Sequence, residues 1–174
     1  MRQLLAAAFV ATLVLAGAMA SDARVLQQRQ PVTRSVSGKA VHYFTTSITH
    51  SETPTPRGKV VRSTDIVEVT GDLEGRVLYH PTSVVDTVNG TLVNTGSQVF
   101  SGTVLGSEPV LLHDDQFRFD VDLKPGGKEA GKVHLSNRLA GPKIRCDLIV
   151  TGAGVKTADG NAIVEYRGTC TFEK

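Results

Sequence analysis

The stretch VEYRGTCTF, residues 164–172, alternates between apolar and polar side chains. Because successive side chains of a β-strand point to opposite faces, this pattern predicts a strand with one buried face. That face includes Cys170, one of only two cysteines in the 174-residue chain. The stretch KIRCDLIV, residues 143–150, alternates in the same way, and its apolar face includes Cys146. The two cysteines therefore lie on the apolar faces of two predicted strands.

These two strands can form a hairpin around residues 157–160, and a disulfide would fix their register. Directly opposed residues of a non-hydrogen-bonded antiparallel pair lie about 4.5 Å apart at Cα, which is within disulfide range. Two buried free thiols are the alternative. The register with Cys146 opposite Cys170 also pairs Ile144 with Phe172, Leu148 with Gly168 and Val150 with Tyr166.

The rest of the chain after residue 35 also has a β pattern, rich in valine and threonine and interrupted by turn residues about every 10 positions. Asn89-Gly90 is the clearest hairpin turn, because both residues tolerate a positive φ. No segment has a convincing helical period. The predicted strands are 36–50, 60–70, 76–87, 91–105, 110–113, 116–123, 132–137, 143–151 and 161–172. Eight or nine antiparallel strands in one domain, 36–174, predict an all-β fold, either a closed barrel or a sandwich.

The first 20 residues have the layout of a signal peptide: Arg2, an apolar run, and the cleavage pattern Ala18-Met19-Ala20. We therefore expect a secreted protein, extracellular or periplasmic, without stable membrane insertion. Residues 21–35 are polar and predict a mobile N-terminal arm. The 19 basic residues, of which Arg2 is in the leader, nearly balance the 17 acidic ones, and no basic stripe predicts a nucleic-acid partner.

Three glycine-bracketed stretches resemble the allene oxide cyclase barrel-like proteins and related small secreted barrels. They are VTGDLEGRV (69–77), GSQVFSGTV (96–104) and VTGAGVKTADGNAIVEYRGTC (150–170). The resemblance implies an eight-stranded, allene oxide cyclase-like or lipocalin-like barrel. Barrels of this size have an interior that side chains fill or that holds one small ligand. The catalytic residues of the cyclases do not map onto this chain.

No pattern in the sequence predicts a catalytic site, a metal site or a cofactor. His113-Asp114-Asp115 is the densest polar cluster, and we interpret it as a turn because no further ligands occur at metal spacing. The other histidines are predicted to be surface residues of strands. Glu68 is predicted on the outer face of its strand. It would be a buried carboxylate only if the inner and outer faces of that strand were exchanged.

Four aromatic residues are candidates for the wall of the barrel lumen: Tyr79, Phe117, Phe119 and Tyr166. A ligand would find apolar walls and two phenol hydroxyls there, although the same rings could simply fill the core. Non-catalytic binding of a small apolar ligand is the preferred hypothesis. The alternatives are a cyclase or isomerase of the allene oxide cyclase-like or dirigent-like kind, and an inhibitor or effector that contacts a partner protein through loops 53–58 and 106–109.

Overall fold

The structure is a computed structural model that describes residues 30–173, and the predicted signal peptide and most of the predicted arm lie outside them. One 3-10 turn, Phe44–Thr46, is present in this part of the chain. The strands are β1 (Val32–His42), β2 (Ile48–Thr55), β3 (Gly58–Gly71), β4 (Leu73–Asp86), β5 (Thr91–Val104), β6 (Val110–Asp114), β7 (Arg118–Asp122), β8 (Glu129–Leu135), β9 (Asn137–Ala140), β10 (Ile144–Lys156) and β11 (Ala162–Phe172).

Eight of these strands close into an antiparallel barrel, as the sequence predicted. Around the barrel the order is β1, β11, β10, β8, β7, β5, β4 and β3, and β3 pairs again with β1. The other three strands lie outside this ring. β2 pairs with the first half of β3, β6 pairs with the second half of β5, and β9 pairs with β6.

Two predicted strands are each interrupted in the structure. The predicted strand 36–50 is divided into β1 and β2 by the 3-10 turn, and β1 begins earlier, at Val32, within the segment assigned to the arm. The predicted strand 132–137 begins three residues earlier and stops at Leu135, after which β9 starts at Asn137. Each break lets the chain leave the barrel wall and add a strand on its outside.

The disulfide and its register are confirmed. Cys146 and Cys170 are bonded, with their Cα atoms 4.1 Å apart, and both side chains are buried. β10 and β11 pair in the predicted register, with Ile144 opposite Phe172, Leu148 opposite Gly168 and Val150 opposite Tyr166. The hairpin becomes irregular between Gly152 and Lys156, which is nearer its turn.

The two ends of the barrel differ in composition. At the end that contains the disulfide, the inward side chains are apolar and almost fully buried; this set includes Leu73, Val104, Val110, Leu135 and Ile144. We call it the closed end. At the opposite end, where β1 ends and β8 and β11 begin, the inward residues include polar and charged groups, and we call it the open end.

Candidate functional site

The barrel lumen contains a cavity of about 80 Å³, measured as the space open to the centres of water molecules. A single water needs about 10–15 Å³ by this measure, so the cavity has room for several waters or a small organic molecule. Its walls are mostly aliphatic and aromatic. The polar or titratable side chains in the wall are His42, Tyr79, Gln98, Glu129 and Tyr166.

His42 and Asp65 form an ion-pair geometry at the open end. His42 Nε2 donates to Asp65 Oδ2 at 3.0 Å, and the Asp65 side chain is only 5% exposed. Burial by itself would raise the pKa of Asp65, but the hydrogen bond and the charge of His42, together with the Ser47 and Ser63 hydroxyls, act in the other direction. The net result is a pKa for Asp65 below its usual value. The imidazole lines the cavity, and its hydrogen bond to the Asp65 carboxylate fixes the orientation of the ring.

Glu129 is the one carboxylate that lines the cavity in the described part of the chain. It is the first residue of β8, where alternation points it inward with Gly131, Val133 and Leu135. A carboxylate is normally satisfied by hydrogen-bond donors or by a basic side chain. The described residues give Glu129 neither a hydrogen bond nor a salt bridge. Burial raises the pKa of Glu129, and the nearby His42 only partly offsets this effect.

Two oxygen atoms beside the cavity are buried and have no hydrogen-bond partner among the described residues: Asp65 Oδ1 and Asn94 Oδ1. Asp65 is opposite Tyr79 in the sheet, and Asn94 is opposite Phe119, so each adjoins a residue of the cavity wall. Both atoms are acceptors. A buried acceptor without a partner costs about 1–3 kcal/mol, and a ligand donor or an ordered water would remove that cost.

The four aromatic residues predicted for the lumen are all buried, and three of them line the cavity. Tyr79 and Phe119 line it near the open end. Tyr166 also lines it, but its hydroxyl accepts a hydrogen bond from the backbone N–H of Leu73 at 2.8 Å and so fixes the turn between β3 and β4. Phe117 does not line the cavity, because it lies against Tyr79 with the ring centres 4.7 Å apart.

The space for Phe119 depends on one glycine. A Cβ atom added to Gly131, its partner on β8, would overlap the Phe119 ring. The ring therefore lies flat across β8 beside the cavity. Burial also raises the pKa of the Tyr79 phenol, which stays protonated and can donate a hydrogen bond into the lumen.

The prediction that His42 is a surface residue was wrong, because its side chain faces the lumen. The signal was present: His42 and Asp65 each fall at the end of an apolar alternation on their own strand, in phase with buried residues. Glu129 had no such signal, because β8 begins before the predicted strand. The remaining histidines lie outside the lumen wall and are His50, His80, His113 and His134.

The predicted turn at His113-Asp114-Asp115 has a structural carboxylate at its centre. Asp114 is fully buried at the end of β6, where it accepts hydrogen bonds from three places. The donors are Gln98 Nε2 at 2.9 Å, Gln116 N at 2.7 Å and His134 N at 2.8 Å. Asp114 thus ties β6 to β5 and β8 where the chain crosses the barrel wall.

Glu68 is not in the lumen. It follows the predicted outer face of β3 and accepts a hydrogen bond from the Tyr43 hydroxyl at 3.0 Å. The two loops proposed as a partner surface also lie apart. The predicted loop 53–58 is mostly strand: it includes the end of β2 and the start of β3, with only residues 56–57 as the turn, on the open-end side. Residues 106–109 join β5 to β6 at the closed end.

Within residues 30–173, no helix is long and apolar enough to cross a membrane. No three histidine, cysteine, aspartate or glutamate side chains in the same part of the chain come together as a metal site.

Comparison of the chain with models of protein families, with curated proteins and with solved structures gave no match. The site must therefore be interpreted from its own geometry.

Proposed function

We propose that this protein is exported and that its barrel binds a small, mainly apolar molecule. The cavity is the observation that supports this most directly. It is lined by aliphatic and aromatic side chains with a few polar groups, of which His42 and Glu129 lie at the open end, and this is the usual composition of a small-molecule site. A barrel of eight strands is also the size at which the interior can hold one small ligand.

The polar groups suggest how such a ligand lies. His42 and Glu129 are at the open end, while Leu73 and Leu135 form the wall toward the closed end. An amphipathic molecule would place its apolar part deep in the barrel and its polar group near the opening. This orientation leaves no polar ligand atom against the apolar wall, where an unpaired group would be costly.

Export is supported by the leader-like N-terminus and by the disulfide. A buried disulfide is typical of proteins that mature in an oxidising compartment. Finding that the chain is not cleaved after Ala18-Met19-Ala20, or that the protein is retained inside the cell with reduced cysteines, would contradict this part of the proposal.

Filling the cavity tests ligand binding. Ala40 is a small residue of the wall, and Ala40→Leu would occupy part of the lumen. We expect 2-phenylethanol to bind the natural protein saturably in calorimetric titration and to bind this variant about tenfold more weakly, a loss of about 1.4 kcal/mol. Ala130→Leu, on the exposed face of β8, is the matched control and should bind normally. Absence of binding to the natural protein would reject the proposal.

A second candidate, an isomerase, is favoured by one observation: a histidine held by a buried aspartate lines the cavity. This arrangement can orient an imidazole for proton transfer. Exchange of the α-protons of cyclohexanone in deuterated water, followed by NMR, would test it. Acceleration that is lost in His42→Gln would support catalysis, whereas the background rate with both proteins would leave binding as the better assignment.

A further inference from the structure

We propose that the barrel selects ligands that carry a positive charge, namely small amines with an apolar or aromatic body, and that Glu129 is the counter-ion of the ammonium group. This inference deepens the ligand-binding proposal above and rests on it. Three features of the lumen support it: its charge, its excess of acceptors, and its aromatic rings.

Acidic groups outnumber basic ones at the lumen. Among the described residues that line the cavity, none is a lysine or an arginine. Asp65 and Glu129 supply two carboxylates, and His42 is the single basic group between them. With both carboxylates ionised, the three groups together carry a charge of −1 or −2, whichever form His42 takes. A cationic ligand is therefore stabilised there, and a carboxylate ligand is repelled.

The open end also has more acceptors than donors. Glu129 has no donor partner in the described residues, and the buried atoms Asp65 Oδ1 and Asn94 Oδ1 have none either. An ammonium group has three N–H donors and no acceptor, so it suits a cavity whose wall has Glu129 as its carboxylate, while Asp65 and Asn94 lie behind that wall. A carboxylate ligand would add acceptors where they are already in excess. An alcohol would bring one donor and leave the charge of Glu129 uncompensated.

Aromatic rings line the same cavity as Glu129. The rings of His42 and Tyr79 meet edge to face at 5.4 Å, and Tyr79 meets Phe119 at 6.2 Å. Tyrosine and phenylalanine faces attract ammonium groups by about 0.5–2 kcal/mol, and most strongly where water is excluded. Lys156 already shows this contact outside the cavity, because its Nζ lies 5.7 Å from the centre of the Phe44 ring.

The lack of a partner for Glu129 fits a ligand-binding role better than a structural role. Asp114 is fully buried and shows how the same barrel satisfies a structural carboxylate, with three hydrogen bonds, whereas Glu129 is only partly buried. Glu129 has none of these, and it faces the cavity. Its partner is missing from the described chain, which is the arrangement expected when the ligand supplies it.

Three probes with the same phenyl body test the inference: 2-phenylethylamine, 2-phenylethanol and phenylacetate. Each is titrated into the natural protein at pH 7.5 and low salt. We expect the amine to bind about tenfold or more tightly than the alcohol, and phenylacetate to bind more weakly than either. Glu129→Gln should reduce amine affinity to near that of the alcohol and leave alcohol binding almost unchanged.

Glu165→Gln is the matched control, because it removes the same charge from an exposed, outward position on β11. It should not change the order of the three probes. Equal binding of amine and alcohol by the natural protein would overturn the inference and leave the ligand-binding proposal intact. Failure of all three probes to bind would reject both. Because the ratio of amine to alcohol affinity is measured on the natural protein, the test does not depend on whether a variant folds.

Discussion

The closed and open ends of this barrel are built from the same eight strands, yet they satisfy different physical demands. At the closed end, the disulfide and side chains such as Leu73 and Val104 leave almost no exposed surface. At the open end, Glu129 has no hydrogen-bond or ion-pair partner within residues 30–173, and two buried oxygens have no donor there. The first end has the dense packing of an ordinary core. The second end has polar groups without hydrogen-bond partners in the described chain, next to an apolar cavity.

This difference indicates where the barrel gains stability and where it gives stability up. Buried polar groups are normally paired, because a buried group without a hydrogen-bond partner reduces the free energy of unfolding by about 1–3 kcal/mol. Their concentration at one end, around a cavity, is the arrangement expected for a binding site. The comparison can be tested by altering one group at a time at each end.

The largest effect is expected at the closed end, from loss of the disulfide. The bond joins residues 24 positions apart, and constraint of a loop of that length contributes about 3.5 kcal/mol in the chain-entropy model. The variant Cys146→Ala/Cys170→Ala should therefore lose about this much free energy of unfolding in urea. Because the bond is far from the opening, binding of 2-phenylethylamine to the folded variant should change less than about twofold. Loss of binding in a variant that remains folded would show that the two ends are coupled.

The closed end was also the more predictable from sequence. The alternation around Cys146 and Cys170 gave the pairing, the register and the inward face, because a strand with one wet face repeats every two residues. The strand count predicted a closed barrel or a sandwich, and the resemblance to small secreted barrels favoured the barrel. The outer strands β2 and β9 were not, because the short interruptions before them carry no glycine or proline signal at the break.

The wall of the lumen was predicted only in part. Tyr79, Phe119 and Tyr166 were expected in the lumen and line it. His42 was assigned to the surface, since a polar residue that ends an apolar alternation is more often solvent-exposed. Glu129 was missed because its inward direction depends on where β8 begins. Such polar lumen residues contradict the simple pattern of apolar inside and polar outside, and functional sites are where that contradiction is expected.

An intermediate effect is expected from the His42–Asp65 pair, which is the stabilising interaction of the open end. Asp65→Asn should cost about 1–3 kcal/mol at pH 7, because a buried, charge-assisted hydrogen bond is weakened. The pKa of Asp65 is lowered in the fold, so its contribution is present above the unfolded pKa, near 3.8, and is lost as pH falls through the folded value. The gap between variant and natural protein should therefore shrink below about pH 4 in urea unfolding.

The protein offers its own control for this experiment. His134 Nδ1 donates to Asp147 Oδ1 at 2.8 Å, but this pair is on the outer surface and the Asp147 side chain is 68% exposed. Asp147→Asn should change the free energy of unfolding by less than about 1 kcal/mol. Equal effects of the two substitutions at pH 7 would mean that burial at the open end does not strengthen the His42–Asp65 pair.

The smallest effect, and one of opposite sign, is expected from Glu129. Its pKa is raised in the fold, so its favourable contribution is present below the unfolded pKa, near 4.5, and is lost as pH rises through the folded value. Glu129→Gln should therefore be more stable than the natural protein by about 1 kcal/mol at pH 7.5, and this advantage should narrow toward pH 4.5. Urea unfolding at both pH values measures it, with Glu165→Gln as the control that should show no such trend. A variant that gains stability and loses amine binding would identify Glu129 as a residue retained for its ligand and not for the fold. A variant that is less stable at pH 7.5 would instead place Glu129 among the groups that hold the barrel together.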